Sequence, residues 1–278
     1  MSCSNSVDMN HSATPLVDFH VHSTFSPDGE DTIDAMCEAA VRAGLAEICF
    51  TDHVDFEPRD ESHGYLRFEA YREAVEQASR KWEGTLAVRM GIEADYQTWY
   101  TGQVEEFLSS HSLDFVLGSV HWVDSLSTTG EVLDSYGLEE ACRRYLATVL
   151  GLARSGLYDS LAHLDFIKRY AFERYGKVPL RAFSDEIEAI LRALIEKGTA
   201  LEINTSGLRR SVHETLPGVE TLRLYRRLGG ELITLGSDAH RVRDAGFAIP
   251  YAVDVARSLG FRYVTVFRNR QPQFVSIE

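Results

Sequence analysis

The stretch VDFHVHSTFSPDG, residues 17–29, joins a short apolar run to a polar turn and places two histidines on either side of one valine. Side chains alternate along a β-strand, so His20 and His22 are predicted to point the same way from the end of a first strand. Asp28 follows in the turn. Paired imidazoles with a nearby carboxylate are one form of metal site, but taken alone such a pair could equally be structural.

The apolar run that carries these histidines recurs along the chain. Predicted strands begin at Leu16, Ala46, Leu86, Asp114, Asp159, Ala200 and Glu231, with an eighth candidate at Arg262. Amphipathic helical patterns separate the runs, and several of them end in glycine, a common helix stop. This alternation predicts an α/β fold with parallel strands joined by crossover helices. About seven such units favour a single-domain (β/α) barrel, with an open doubly wound sheet as the alternative.

Composition limits the partners and the location of the protein. The net charge of −14 over 278 residues argues against nucleic acid as a partner, because phosphate backbones need a basic surface. The four cysteines form no CxxC pair, and no apolar run reaches the roughly 18 residues of a membrane span. We therefore predict a cytoplasmic protein that does not bind membranes. Residues 1–15 are polar and are predicted to be a flexible tail, which leaves residues 16–278 as the folded domain.

Histidines and acidic residues coincide with the ends of the predicted strands. In a (β/α) barrel these ends meet on one face, where active sites are built. Nine side chains share this placement: His20, His22, Asp28, His53, Glu93, His121, His163, Asp238 and His240. Imidazole and carboxylate are ligands that Zn²⁺, Mn²⁺ and Fe²⁺ accept, and nine such groups are enough for two or three ions. The pattern predicts a cluster of divalent metal ions that binds a phosphorylated small molecule.

A serine hydrolase is the main competing enzyme class. Ser119 and Ser237 each follow a glycine and lie close to a histidine, but neither lies in a G-x-S-x-G elbow. No separate nucleophilic side chain is predicted, and metal-bound hydroxide is the expected nucleophile.

Six motifs, in order, resemble the PHP (polymerase and histidinol phosphatase) superfamily: DFHVHSTFSPDG, FTDH, GIEAD, GSVH, AHLD and GSDAH. The single-domain layout and LEINTSGLRR (residues 201–210) are most similar to its histidinol-phosphatases. The resemblance implies a distorted (β/α)7 barrel with three metal ions. It implies that the first ion is held by His20, His22, Glu93 and Asp238, that Glu93 bridges to a second held by His121 and His163, and that the third is held by Asp28, His53 and His240.

The resemblance also implies basic side chains that bind the phosphate, and the matching positions are Arg169 and Arg209. Arginine presents a planar fork that suits phosphate oxygens. The predicted reaction is hydrolysis of L-histidinol phosphate in histidine biosynthesis. Two alternatives stay open: the same centre could act on a nucleotide or sugar phosphate, or the barrel could bind metal without catalysis.

Overall fold

The structure is a computed structural model that describes residues 14–176, 178 and 180–278. Most of the predicted tail, residues 1–13, lies outside this described part. The strands are β1 (Leu16–Val21), β2 (Leu45–Phe50), β3 (His53–Val54), β4 (Ala87–Asp95), β5 (Phe115–Ser119), β6 (Trp122–Val123), β7 (Leu126–Ser127), β8 (Ser160–Leu161), β9 (Ala200–Asn204), β10 (Ile233–Gly236), β11 (Tyr263–Arg268) and β12 (Gln271–Ser276).

Helices follow most of the strands, as the alternating pattern predicts. They are α1 (Ile33–Arg42), α2 (Phe68–Lys81), α3 (Thr101–Ser110), α4 (Glu131–Ser155), α5 (Ile167–Tyr175), α6 (Ser184–Lys197), α7 (Val219–Arg227) and α8 (Ile249–Ser258). Helix α1 begins where the Thr32 side chain accepts a hydrogen bond from the Ala35 amide. Helix α4 contains a kink at Gly137, whose φ of 72° only glycine adopts readily. In the described part of the chain, no helix has both the length and the apolar character needed to cross a membrane.

Seven parallel strands form the central sheet in the order β1-β2-β4-β5-β8-β9-β10. The sheet curves into a nearly closed barrel, and backbone bonds close the gap between its two edge strands. The Asp238 backbone amide donates to the His20 carbonyl (2.8 Å), and the His22 backbone amide donates to the Ala239 carbonyl (2.9 Å). Most of the buried apolar side chains form one cluster around the strands. The predicted distorted (β/α)7 barrel in one domain is therefore confirmed, and the open sheet is excluded.

The eighth apolar run does not extend the barrel. It forms β11, which pairs antiparallel with β12 as a separate hairpin. The Phe267 ring of this hairpin packs against Phe115 of the barrel with centroids 5.2 Å apart. A buried apolar face made this run look like another barrel strand, but an antiparallel partner lies only two residues further along the chain.

Short strand β3 has a specific role at the site. The first half of β4 pairs with β2, whereas its second half pairs with β3, where His53 lies opposite Glu93. Since β5 borders β4 on its other side, the carboxyl end of β4 lies between two strands that carry histidines at or beyond their ends.

Candidate metal centre

The structure brings all nine predicted ligand side chains into one connected cluster. Glu93 lies at its middle and is 1% exposed. Its Oε2 lies 3.2 Å from His20 Nε2, 3.4 Å from His22 Nε2 and 3.2 Å from His53 Nδ1. Its Oε1 lies 3.1 Å from His163 Nε2 and 3.5 Å from His121 Nε2. One carboxylate thus faces two separate sets of imidazoles, one with each oxygen.

The two remaining carboxylates extend the cluster toward solvent. Asp238 Oδ1 lies 3.8 Å from Nε2 of both His20 and His22, and 3.5 Å from Nδ1 of His240. Asp28 spans the rim, with Oδ2 3.0 Å from His240 Nε2 and Oδ1 3.7 Å from His53 Nε2.

Hydrogen bonds set the tautomers of the paired histidines. Glu202 Oε1 lies 2.6 Å from His20 Nδ1, so this nitrogen carries the proton. Ser26 donates its hydroxyl to Asp52 (2.7 Å) and therefore accepts from His22 Nδ1 (3.2 Å). The Nε2 atoms of both rings consequently face the cluster, as metal-ligating nitrogens do.

The distances between these donor atoms fit a metal ion. The two Nε2 atoms lie 3.1 Å apart, and Glu93 Oε2 completes a triangle of electron-rich atoms. Such atoms repel one another unless a cation lies among them. Metal–nitrogen bonds of about 2.0–2.1 Å separate neighbouring donors by about 3.0–3.4 Å in octahedral or tetrahedral sites. Two further triads, Glu93–His121–His163 and His22–His53–His240, converge in the same way. The donor set therefore fits divalent metal ions.

Burial and neighbouring charges shift the pKa values of the central residues of the cluster. Burial opposes ionisation of Glu93, but the imidazoles of His20 and His121 hold the pKa of this carboxyl well below its usual range. Burial likewise opposes the charge on His20, yet Glu202 and Glu93 raise its pKa well above the ordinary value. Without metal, a proton on His20 can thus take the place of the cation.

The strand-end pattern did not identify the residues that support the predicted ligands. Glu202 contacts His20, and Asp52 accepts from the Ser23 amide (2.8 Å) and from Ser26. Asp95 accepts a hydrogen bond from the His121 amide (2.6 Å). Each is an acidic residue within or next to a buried strand, where an ionised side chain is costly without partners. An acidic residue within an apolar strand pattern is therefore a sequence signal that could have identified these supporting residues.

A cleft of about 980 Å³ opens above the cluster. Arg169, Arg209 and Arg210 line it on the side of β8 and β9, and the segment 55–62 contributes Asp55, Arg59, Asp60, Glu61 and Ser62 on the side of β3. The polar segment after β3 thus helps to shape the cleft.

The two predicted phosphate-binding arginines differ in what they contact. The Arg169 guanidinium lies over the Tyr170 ring (5.2 Å to its centroid), and its Nε is buried with no hydrogen-bond partner among the described residues. Arg209 donates to the carbonyls of Ser237 (2.7 Å) and Asp238 (2.6 Å). Arg209 thus holds the loop that carries Asp238, and its contact with phosphate stays a prediction.

Comparison with known proteins agrees with this geometry. The family model described as PHP domain matches residues 18–206. A protein of Deinococcus radiodurans named probable histidinol-phosphatase is 33% identical over 267 residues, which cover 94% of this chain and 99% of the relative. The histidinol-phosphatase of Lactococcus lactis is 30% identical, covering 90% of this chain and 94% of the relative.

Solved structures extend the likeness to three dimensions. The crystal structure of the Lactococcus lactis histidinol phosphate phosphatase in complex with zinc, L-histidinol and phosphate superposes with a TM-score of 0.86. The two chains are 30% identical, and the match covers 93% of this chain and 98% of the other. The fold, the ordered motifs and the family match lead to one conclusion: this chain belongs to the PHP domain family.

Proposed function

We propose that this protein is a metal-dependent histidinol-phosphatase that hydrolyses L-histidinol phosphate to L-histidinol and inorganic phosphate. The observation that carries the proposal is the convergence of nine imidazole and carboxylate side chains at the floor of an arginine-lined cleft. The names of the Deinococcus and Lactococcus relatives, and the zinc, histidinol and phosphate bound to the Lactococcus enzyme, support the choice of substrate.

Within this proposal the nine residues hold up to three ions of zinc, manganese or iron. His20, His22, Glu93 and Asp238 hold the first, Glu93, His121 and His163 the second, and Asp28, His53 and His240 the third. When bound, the ions act as Lewis acids that attract phosphate oxygens and favour ionisation of water near neutral pH. The chain itself supplies the orientation of these donors, through Glu202, Ser26 and the strand ends.

The arginine side of the cleft orients the phosphate. Arg169, Arg209 and Arg210 lie close enough that burial and the charges of the first two lower the pKa of Arg210. Three guanidinium groups gathered in one cleft repel one another, and a phosphate dianion relieves this repulsion. Of the two arginines predicted from the sequence, Arg209 already donates to two carbonyls, whereas the buried Nε of Arg169 has no hydrogen-bond partner among the described residues. We therefore assign Arg169 the more direct contact with the phosphate. Charge developing on the phosphoryl oxygens is then stabilised by fixed positive groups.

The test is phosphate release from a panel of monoesters by protein stripped of metal and reloaded separately with Zn²⁺, Mn²⁺ or Fe²⁺. We expect L-histidinol phosphate to give a kcat/KM at least about 100-fold above nucleotide and sugar phosphates, since a pocket fitted to one leaving group discriminates by that order. Preference for another ester would keep the phosphatase and change the substrate. A lack of turnover with bound metal would favour a barrel without catalysis.

The remaining parts of the proposal rest on the sequence. Residues 16–278 form the catalytic domain, the partner is a small phosphorylated molecule, and neither nucleic acid nor membrane is an expected partner. A cytoplasmic location stays a prediction from cysteine usage and composition.

A further inference from the structure

Glu202 is a buried carboxylate at the centre of β9 and is 1% exposed. Among the described residues, no lysine or arginine lies within 4.0 Å of it, so its charge is balanced in another way. Its Oε1 lies 2.6 Å from His20 Nδ1, and its Oε2 accepts from the His163 amide (2.7 Å) and from Asn204 Nδ2 (3.1 Å). Both oxygens are therefore used, and each serves a different proposed ligand.

These contacts act on two histidines, His20 in β1 and His163 just after β8. At His20 the carboxylate keeps the proton on Nδ1 and leaves Nε2 facing Glu93. At His163 it binds the backbone, whose φ of 23° is unusual for a residue other than glycine. That backbone conformation places His163 Nε2 3.1 Å from the other oxygen of Glu93. One side chain thus fixes a ring on each side of the bridging carboxylate.

The neighbouring strand leaves room for this arrangement. Gly236 of β10 lies opposite Asn204 in the sheet. A Cβ atom at Gly236 would lie 2.1 Å from Glu202 Oε1 and 2.5 Å from the His20 Cβ, both far inside van der Waals contact. The absence of a side chain at this position is what admits the Glu202 carboxylate next to His20.

We propose that Glu202 is a positioning residue that couples the first and second metal sites by orienting His20 and His163 together. The inference rests on the ligand assignments of the proposed function. Glu202 does not contact the Nε2 atoms of His20 and His163 that face the proposed ions. A change at Glu202 should nevertheless weaken metal binding at both sites at once. Carboxylates that orient a ligating histidine typically contribute 10–100-fold in metal affinity.

The test compares zinc binding by wild-type protein, Glu202→Gln and the control Glu47→Gln. Glutamine has the same shape, but its amide nitrogen is a hydrogen-bond donor. In one orientation this nitrogen faces the protonated Nδ1 of His20, and in the other it faces the donors of His163 and Asn204. Glu47 is also a buried strand carboxylate, but it pairs with Arg89 on β4 and touches no proposed ligand. Zinc dissociation constants come from competition with a chromophoric chelator, and melting temperatures are measured on the metal-free proteins.

We expect Glu202→Gln to raise the zinc dissociation constant about 10–100-fold for two ions, with Glu47→Gln unchanged. Comparable melting temperatures of the two metal-free variants would show that the loss is not general destabilisation. Wild-type zinc affinity and stoichiometry in Glu202→Gln would overturn the inference, as would a loss confined to one ion. If Glu202→Gln does not fold, Asn204→Ala removes one hydrogen bond to the same carboxylate and should raise the constants several-fold. Unchanged constants there would likewise refute the coupling.

Failure of the proposed function gives a different result. In that case the wild-type protein itself would fail to bind zinc or to release phosphate from any monoester. A wild-type protein that does both, beside an unaffected Glu202→Gln, removes only the role of Glu202.

Discussion

The inner and outer parts of the cluster are held in different ways. The inner group (His20, His22, Glu93 and His163) is at most 2% exposed, and buried partners such as Glu202 and Ser26 fix its histidines. In the outer group (Asp28, His53 and His240), the side chains of Asp28 and His240 are 55% and 24% exposed. Asp28 belongs to the turn after β1 and His240 to the loop after β10, so loop geometry rather than strand pairing positions them. Metal bound by the inner group should therefore be retained more firmly than metal at the rim.

The largest effect should come from Glu93→Gln in the inner group. One carboxylate faces both sets of imidazoles, so its loss weakens two proposed ions together. Metal ions contribute several kcal/mol to such reactions, and we expect kcat/KM to fall by about 1000-fold or more. Elemental analysis should show reduced metal content. Full metal content with near-native turnover would mean that the cluster is assigned wrongly.

Arg169→Ala removes a side chain above the cluster but none of its proposed ligands. Hydrogen bonds to charged groups contribute about 1.5–3 kcal/mol, so kcat/KM for the phosphate ester should fall about 10–100-fold at unchanged metal content. Arg209→Ala is the comparison, because its guanidinium holds the carbonyls of Ser237 and Asp238. We expect this second variant to lose metal affinity as well as activity. If both variants changed only KM, Arg209 would contact substrate rather than support the loop.

Asp28→Asn should have a smaller effect that is limited to the rim. The variant keeps the inner donors and loses one exposed carboxylate between His53 and His240. We expect about one ion fewer per chain after dialysis, with kcat about 10-fold lower, the lower end of the range for altered metal sites. Adding metal back should restore part of the activity. Loss of all metal would show that the inner group cannot hold ions alone.

The smallest effect concerns the protons released when metal binds. Although burial lowers it, contact with Asp28 and the charge of Glu93 raise the pKa of His53 to about 10. Burial, together with His240 and His53, holds the pKa of His22 well below the usual range. Since ligands must be deprotonated, zinc affinity should rise with pH between about 6 and 10. The protons should come from His53 and from other ligands with a raised pKa, such as His20 and His121, rather than from His22.

Calorimetry in buffers of different ionisation enthalpy directly measures the number of protons released when zinc binds. His53→Gln should release about one proton fewer than the wild type at pH 7. Equal proton release by the two proteins would place the proton elsewhere in the cluster.

The placement of residues at strand ends made the side chains of the cluster predictable. An apolar run that ends in histidine or an acidic residue can be recognised from the local sequence alone. The carboxyl ends of the parallel strands of a barrel then bring these residues to one face. The supporting residues were harder to identify because their partners are distant in sequence. Glu202 and His20 are separated by 182 positions, and only the closure of the sheet brings them to 2.6 Å. Arg209 was identified as basic, but its binding to two carbonyls depends on the path of the loop after β10.

The sequence by itself determined a parallel α/β fold and the nine side chains of the cluster, because periodicity and strand-end placement are local properties, and its six ordered motifs carried the resemblance to the PHP superfamily. It could not determine that the run at Arg262 leaves the barrel, since an antiparallel partner satisfies the same apolar pattern. Only the tertiary structure decided which Glu93 oxygen faces which imidazoles, and which ring nitrogens carry protons. Those features depend on distances between strands that are remote in sequence, and such distances exist only once the barrel has closed.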